Sequence, residues 1–266
     1  MSKYVAALVA GLFATPAMSA DWTGFYIGAN AGYGWNSNSK VKDAQYYING
    51  TYGSYANGWF NGQQSSRNGS FTIGGQAGYN RQIGNAVIGL EADLNYMNTK
   101  SAYSAHDFTD LYVDPNYEYH LREVMSVKSS ATWVGTLRPR LGFMLVDRLL
   151  VYGTGGLAFG QVKSSANYGW RENGYWWCTP VCGQDGPFDR TGGFTGSKAQ
   201  MRWGWSLGAG AEYAITDRIS IKGEYLYVDL GSKRQTIVNP QDPNEFVTMK
   251  DATRLHIMRV GLNFKL

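Results

Sequence analysis

Eight charged residues carry the most concentrated chemistry in this chain: the carboxylates Glu91, Asp93, Glu212 and Glu224 and the cations Arg138, Arg140, Lys222 and Arg259. Each lies in a stretch whose side chains alternate polar and apolar with a period of two, and each falls on the polar parity, as does Lys265. Charges of both signs on one side of a sheet suit mutual neutralisation, because an isolated buried ion is very costly. The expectation is a polar plug in which these carboxylates face these cations and fill an enclosed interior. A conduction pathway along the same groups is the alternative. Other reactive constellations are weak. His106 and His120 lie in a long polar connection and His256 in a late alternating run, without the spacing of a zincin or of a structural zinc site. Haem ligation by His106, His120 or a nearby tyrosine has only neighbouring aromatics in its favour, so no cofactor and no metal are assigned. No nucleophile has a base placed beside it, and the reading is not an enzyme. Cys178 and Cys182 have three residues between them, Pro180 in the middle, which in an exported chain favours a small disulfide loop over a metal site.

The charges can share an interior only if the runs that carry them belong to one sheet. The first run, residues 23–35, reads TGFYIGANAGYGW: Phe25, Ile27, Ala29, Ala31, Tyr33 and Trp35 alternate with Tyr26, Gly28, Asn30, Gly32 and Gly34. Similar alternation resumes at Phe71 and recurs over residues 86–97, 131–145, 149–163, 202–215, from Ile219, and over 252–266. Pro139 is awkward inside such a run, since proline removes a ladder donor, and a local bulge is expected there. Between the runs the connections alternate long and short. The long ones fall after Trp35, up to about Ser130, over 164–201, and around the stretch QTIVNPQDPNEF; the short ones fall at 82–85, 146–148 and 216–218.

Eight strands with that rhythm predict an antiparallel up-and-down barrel with its four long loops at one end. An outer-membrane barrel has an even strand number, short periplasmic turns, long extracellular loops and aromatic girdles. A soluble ligand-binding barrel would turn the apolar parity inward instead. Composition favours the membrane: 34 glycines, 15% aromatic residues and only 17% charged residues, against about a quarter charged in ordinary soluble domains. So do the first twenty residues, where Lys3, a short apolar run and Ala17-Met18-Ser19-Ala20 have the form of a secretory signal cut after Ala20. Residues 21–266 are then one barrel domain. The formal net charge of +4 is too modest to argue for nucleic acid. The expected partner is outer-membrane lipid, with charged side chains turned in, because Arg or Lys facing the lipid midplane costs about 2–4 kcal/mol.

The segments DWTGFYIGANAGYGW, FTIGGQAGYNRQ, VIGLEADL, GTLRPRLGF, LLVYGTGGLAFG, WGWSLGAGAEYAI, IKGEYLYVDLG and MRVGLNFKL together resemble the alphaproteobacterial outer-membrane β-barrel family of opacity-like, surface-antigen and haemin-binding porin-family proteins. The resemblance covers every expected strand and none of the loops. It implies an eight-stranded barrel in the bacterial outer membrane and a structural role in envelope integrity with surface-exposed loops. In some members it also implies a narrow porin or haemin receptor, with small solutes or haemin as partners. It further implies that the C-terminal residues are read by the outer-membrane assembly machinery. Members typically end in an aromatic residue; here Phe264 supplies the aromatic and Leu266 keeps the apolar parity. The last strand should pair with the first and close the barrel.

Overall fold

The computed structural model describes residues 20–36, 41–47, 63–65, 69–114, 117–176 and 186–266. Its strands are β1 (Gly24–Asn36), β2 (Val41–Tyr47), β3 (Gln63–Ser65), β4 (Gly69–Ile83), β5 (Ala86–Asp114), β6 (Tyr117–Val146), β7 (Leu149–Trp176), β8 (Gly186–Ala214), β9 (Ile219–Val238) and β10 (Phe246–Lys265). Eight of these close a ring in the order β1-β4-β5-β6-β7-β8-β9-β10, each antiparallel to its neighbour, and β10 returns to β1. At the seam Ala29 faces Leu262 and Gly32 faces Arg259. A β-carbon at Gly32 would stand 2.8 Å from the Cβ of Arg259, so the glycine lets the two backbones approach beside a long charged side chain. The short β2 and β3 pair with β10 and β5 away from the tight turns. Residues 1–19 of the expected signal segment 1–20, and Cys178 and Cys182, lie outside the described residues.

Two expectations need correction. Much of what reads as loop is strand: β5 and β6 run 29 and 30 residues, β7 and β8 run 28 and 29, so the second and third long connections are mostly hairpin extensions. At about 3.3 Å per residue such a strand is roughly 100 Å long, far more than an apolar band about 25 Å tall needs even when tilted. The bulge expected at Pro139 is not there either. Pro139 pairs with Leu90 in continuous register; towards β7 the ladder skips Arg138 and Pro139 and resumes at Arg140↔Thr154 unshifted. The Pro139 carbonyl is taken by the Thr154 hydroxyl at 2.9 Å, which satisfies the acceptor without an extra residue.

Apart from a shift between Met144 and Val146 beside the tight turn, the irregularities lie higher. Register slips by one residue between Tyr96 and Thr99 on β5, between Ala131 and Trp133 on β6, and between Ala252 and Arg254 on β10. Opposite the last, Gly231 on β9 takes φ +71, a conformation that favours glycine at a bulge. Around the barrel at this level stand outward aromatics, Tyr33, Phe71, Trp133, Phe159, Trp203, Trp205 and Tyr227. Several are in ring contact: Phe159 with Trp203 at 5.4 Å, Trp133 with Phe159 at 6.1 Å, and Trp205 with Tyr227 at 5.4 Å. Below them the outer surface is apolar and open: Ile27, Leu90, Leu94, Leu141, Leu157, Leu207, Val260 and Leu262 are all exposed. In water such a surface would be an aggregation hazard; in hydrocarbon it is the correct boundary.

A layered lumen as the candidate functional site

The inward residues of β10, taken downward, recite the interior: Met249, Asp251, Thr253, Leu255, Ile257, Arg259, Asn263. Those of β6 repeat it: Met125, Val127, Ser129, Ala131, Val134, Thr136, Arg138, Arg140, Met144. The lumen is therefore stacked in layers. Nearest the short turns, Trp22, Val87, Met144, Leu150, Tyr152 and Ala214 form an apolar floor. The charge network follows. Above it Met97, Val134, Val162, Leu226, Val228, Leu230, Leu255 and Ile257 pack as a second apolar layer. A smaller polar layer comes next, and above it Met125, Val127, Tyr168, Phe194, Ile237, Val247 and Met249 pack as a third apolar layer.

The structure brings all eight charges of the sequence reading together, four carboxylates against four cations, all of them buried. Arg138 is the hub: its guanidinium lies 2.8 Å from Glu91, 2.9 Å from Asp93 and 3.2 Å from Glu224. Lys222 donates to both Glu91 oxygens at 2.8 Å. Arg259 spans Glu224 at 2.5 Å and Asp93 at 3.1 Å. Arg140 holds Glu212 at 2.6 Å and sits 3.9 Å over the Tyr152 ring, a cation–π contact. Since β5, β6, β8, β9 and β10 each contribute, the network ties strands that do not pair with one another. Buried ions are tolerated when their remaining lone pairs and protons are satisfied, and here most are, although the Nε–H groups of Arg138 and Arg140 find no partner among the described residues. Tyr26 donates to Glu91 at 2.7 Å, Tyr152 to Glu224 at 3.2 Å, Thr136 to Asp93 at 2.6 Å and Ser220 to Glu212 at 2.5 Å. An amide relay continues across the seam: Asn30 to Gln76 at 2.8 Å, Gln76 to Asn263 at 2.6 Å, Asn263 to Glu212 at 2.7 Å.

Sequence reasoning missed the upper polar layer. There Arg202 bonds Asp251 at 3.1 Å and Thr253 at 3.1 Å, while Ser129 donates to Asp251 at 2.7 Å. Asp251 and Ser129 fall in stretches whose alternation is too diluted by polar residues to read as strand. Tyr26 and Tyr152 lie on the polar parity, and that was the available signal for their role. Lys265 is not in the network; at the foot of β10 it donates to the Asp21 carbonyl at 2.7 Å and lies 3.2 Å from the Asp21 carboxylate. The Thr23 N–H bonded to that carboxylate, helped by Lys265, holds Asp21 below its usual carboxylate range.

The histidines are not assembled into a site. His106 is level with Val124, whereas His120 is level with Asp110, four residues along β5 and about 13 Å away at strand rise. His256 points outward, stacked on Trp35 at 5.5 Å and hydrogen-bonded to Tyr225. Phe264 is on the outer face, and Leu266 donates its backbone N–H to the Phe25 carbonyl at 2.9 Å.

An apolar exterior, an ion-paired interior and a closed ring of antiparallel strands define an integral β-barrel of the bacterial outer membrane. The chain belongs to the family described as outer membrane protein beta-barrel domain, whose model matches residues 5–264. It is 34% identical to the 31 kDa outer-membrane immunogenic protein of Brucella melitensis, over the whole of both chains. It is 27% identical to the 22 kDa outer membrane protein of Rhizobium leguminosarum, over 88% of each. Among solved structures it is similar in fold to the outer membrane protein OprG of Pseudomonas aeruginosa, with a TM-score of 0.50, 13% identity, and coverage of 94% of this chain and 100% of that one.

Proposed function

We propose that this protein is a non-catalytic, sealed structural barrel that supports envelope integrity and presents its extended hairpins outside the cell. The observation that carries the reading is the stacking of the lumen. A neutral ion-pair layer is capped above by packed Leu226, Val228, Leu255 and Ile257, and again by Val127, Phe194, Val247 and Met249. Ions crossing two dry apolar layers would lose their hydration with nothing to replace it. The length of the strands beyond the apolar band supports surface presentation, and so does the relative in Brucella melitensis named as immunogenic. The test is single-channel recording of the refolded protein in planar bilayers. The expected result is a silent bilayer at voltages where the folded barrel is demonstrably inserted; large stable openings would replace this reading by a porin.

A further inference from the structure

The outer surface just above the aromatic belt is basic on one side of the barrel. Lys100 on β5 lies four residues beyond Tyr96, Lys128 on β6 five beyond Trp133, and Lys163 on β7 four beyond Phe159. All three are exposed and outward. The pairing sets their geometry: Lys100, Ser130 and Lys163 form one row across three strands, and Lys128 lies in the next row, between Ala102 and Ser165. Neighbouring strands are about 4.8 Å apart, so Lys100 and Lys163 are roughly 10 Å apart, with Lys128 at the diagonal positions of both. Together with Ser130 and Ser165 they line a groove of about 380 Å³. None of the three lysines forms an ion pair among the described residues. At the same height the opposite side of the barrel differs, for there the outward Arg254 is neutralised by Asp229 at 3.1 Å, and the exposed cations Lys233, Arg234 and Lys250 come only further up β9 and β10.

Like charges this close repel one another unless an anion sits among them, and among the described residues no side chain supplies one. The height of the cluster says which anion. Tyrosine and tryptophan belts mark the level of lipid headgroups, and four strand residues at about 3.3 Å each, tilted, raise the lysines by about 10 Å above it. Directly beneath them Leu94, Leu137 and Leu157 face outward and exposed, offering a track for acyl chains. We infer that Lys100, Lys128 and Lys163, with the hydroxyls of Ser130 and Ser165, form a docking surface for the phosphorylated sugar headgroup of an outer-leaflet glycolipid, lipopolysaccharide, whose acyl chains lie on the apolar face below. Ammonium groups bind the phosphates and serine hydroxyls the sugar oxygens, while the lipid chains provide what a free anion lacks.

The test titrates the folded full-length barrel in zwitterionic micelles with labelled diphosphoryl lipid A. The parallel arms use inorganic pyrophosphate, a heparin oligosaccharide, and lipid A with Arg254→Gln as the control variant. The triple variant Lys100→Gln/Lys128→Gln/Lys163→Gln, shown to fold by a boiled-versus-unboiled gel, should bind lipid A at least about tenfold more weakly, as expected for loss of several lysines facing an anionic membrane surface. Arg254→Gln should stay within about twofold of the parent, because its charge is already paired. The proposal is overturned if the triple variant binds like the parent, if Arg254→Gln costs as much as the triple, or if pyrophosphate or heparin binds the parent as tightly as lipid A does. A triple variant that does not fold is replaced by the three single variants, each of which should weaken binding; three unchanged affinities also overturn it.

Discussion

The lower and upper halves of this barrel obey opposite rules on the same strands. Along β6, residues below the belt put Leu137, Leu141 and Phe143 outside and Thr136, Arg138 and Arg140 inside. Above the belt the same strand puts Arg122, Ser126 and Lys128 outside and Met125 and Val127 inside. The lower half is inside-out because its solvent is hydrocarbon; the upper half is built like a soluble barrel because its solvent is water. Bulges on β5, β6 and β9 lie at the changeover. There an extra residue re-aims the side chains at the level where the surroundings change. One continuous sheet thus carries two patterns, and the boundary between them marks the membrane surface.

The comparison can be broken most severely at the hub of the lower interior. Arg138→Met leaves Glu91, Asp93 and Glu224 short of a cation, and should cost about 3–5 kcal/mol in urea unfolding of the folded barrel. Adding Glu91→Gln removes one of the stranded charges, so the double variant should lose less than the sum of the two single losses. Next in size is an arginine on the outer face. Leu137→Arg, midway between Phe143 and Trp133, should cost about 2–4 kcal/mol by the same assay, while Ser126→Arg, equally outward but above the belt, should stay within about 0.5 kcal/mol. Equal costs at these two positions would contradict the assigned membrane boundary. The smallest effect is expected at the lower end of β10. Leu266→Phe, at an exposed position, should leave or raise the heat-modifiable folded fraction in membrane preparations, and a collapse of that fraction would remove Phe264 and Leu266 as an assembly signal.

Legibility followed the same boundary. In the lower half, alternation was strong because lipid demands an unbroken apolar face, so the parity of Leu90 against Glu91, or of Met258 against Arg259, was readable residue by residue. The eight network charges were readable for the same reason: no other place in a membrane barrel would hold them. In the upper half the outward residues are ordinary polar ones and the inward ones include Ser129, Ser164 and Asp251, so the contrast that marks a strand is lost and the extensions looked like loops. Pro139 misled for a narrower reason. Its missing donor faces β7, where the Thr154 hydroxyl meets its carbonyl, and pairing with β5 continues undisturbed.

Amino-acid order by itself determined the number of strands in the ring, the face turned to lipid and the membership of the charge network. These follow from the two-residue period of a strand in hydrocarbon, a local property. Tertiary structure alone decided which carboxylate meets which cation, that apolar layers pack above and below the charges, and that Lys100, Lys128 and Lys163 gather in one groove. Those are relations between strands, set by register and barrel closure, and a shift of one residue in any pairing would have redrawn every one of them.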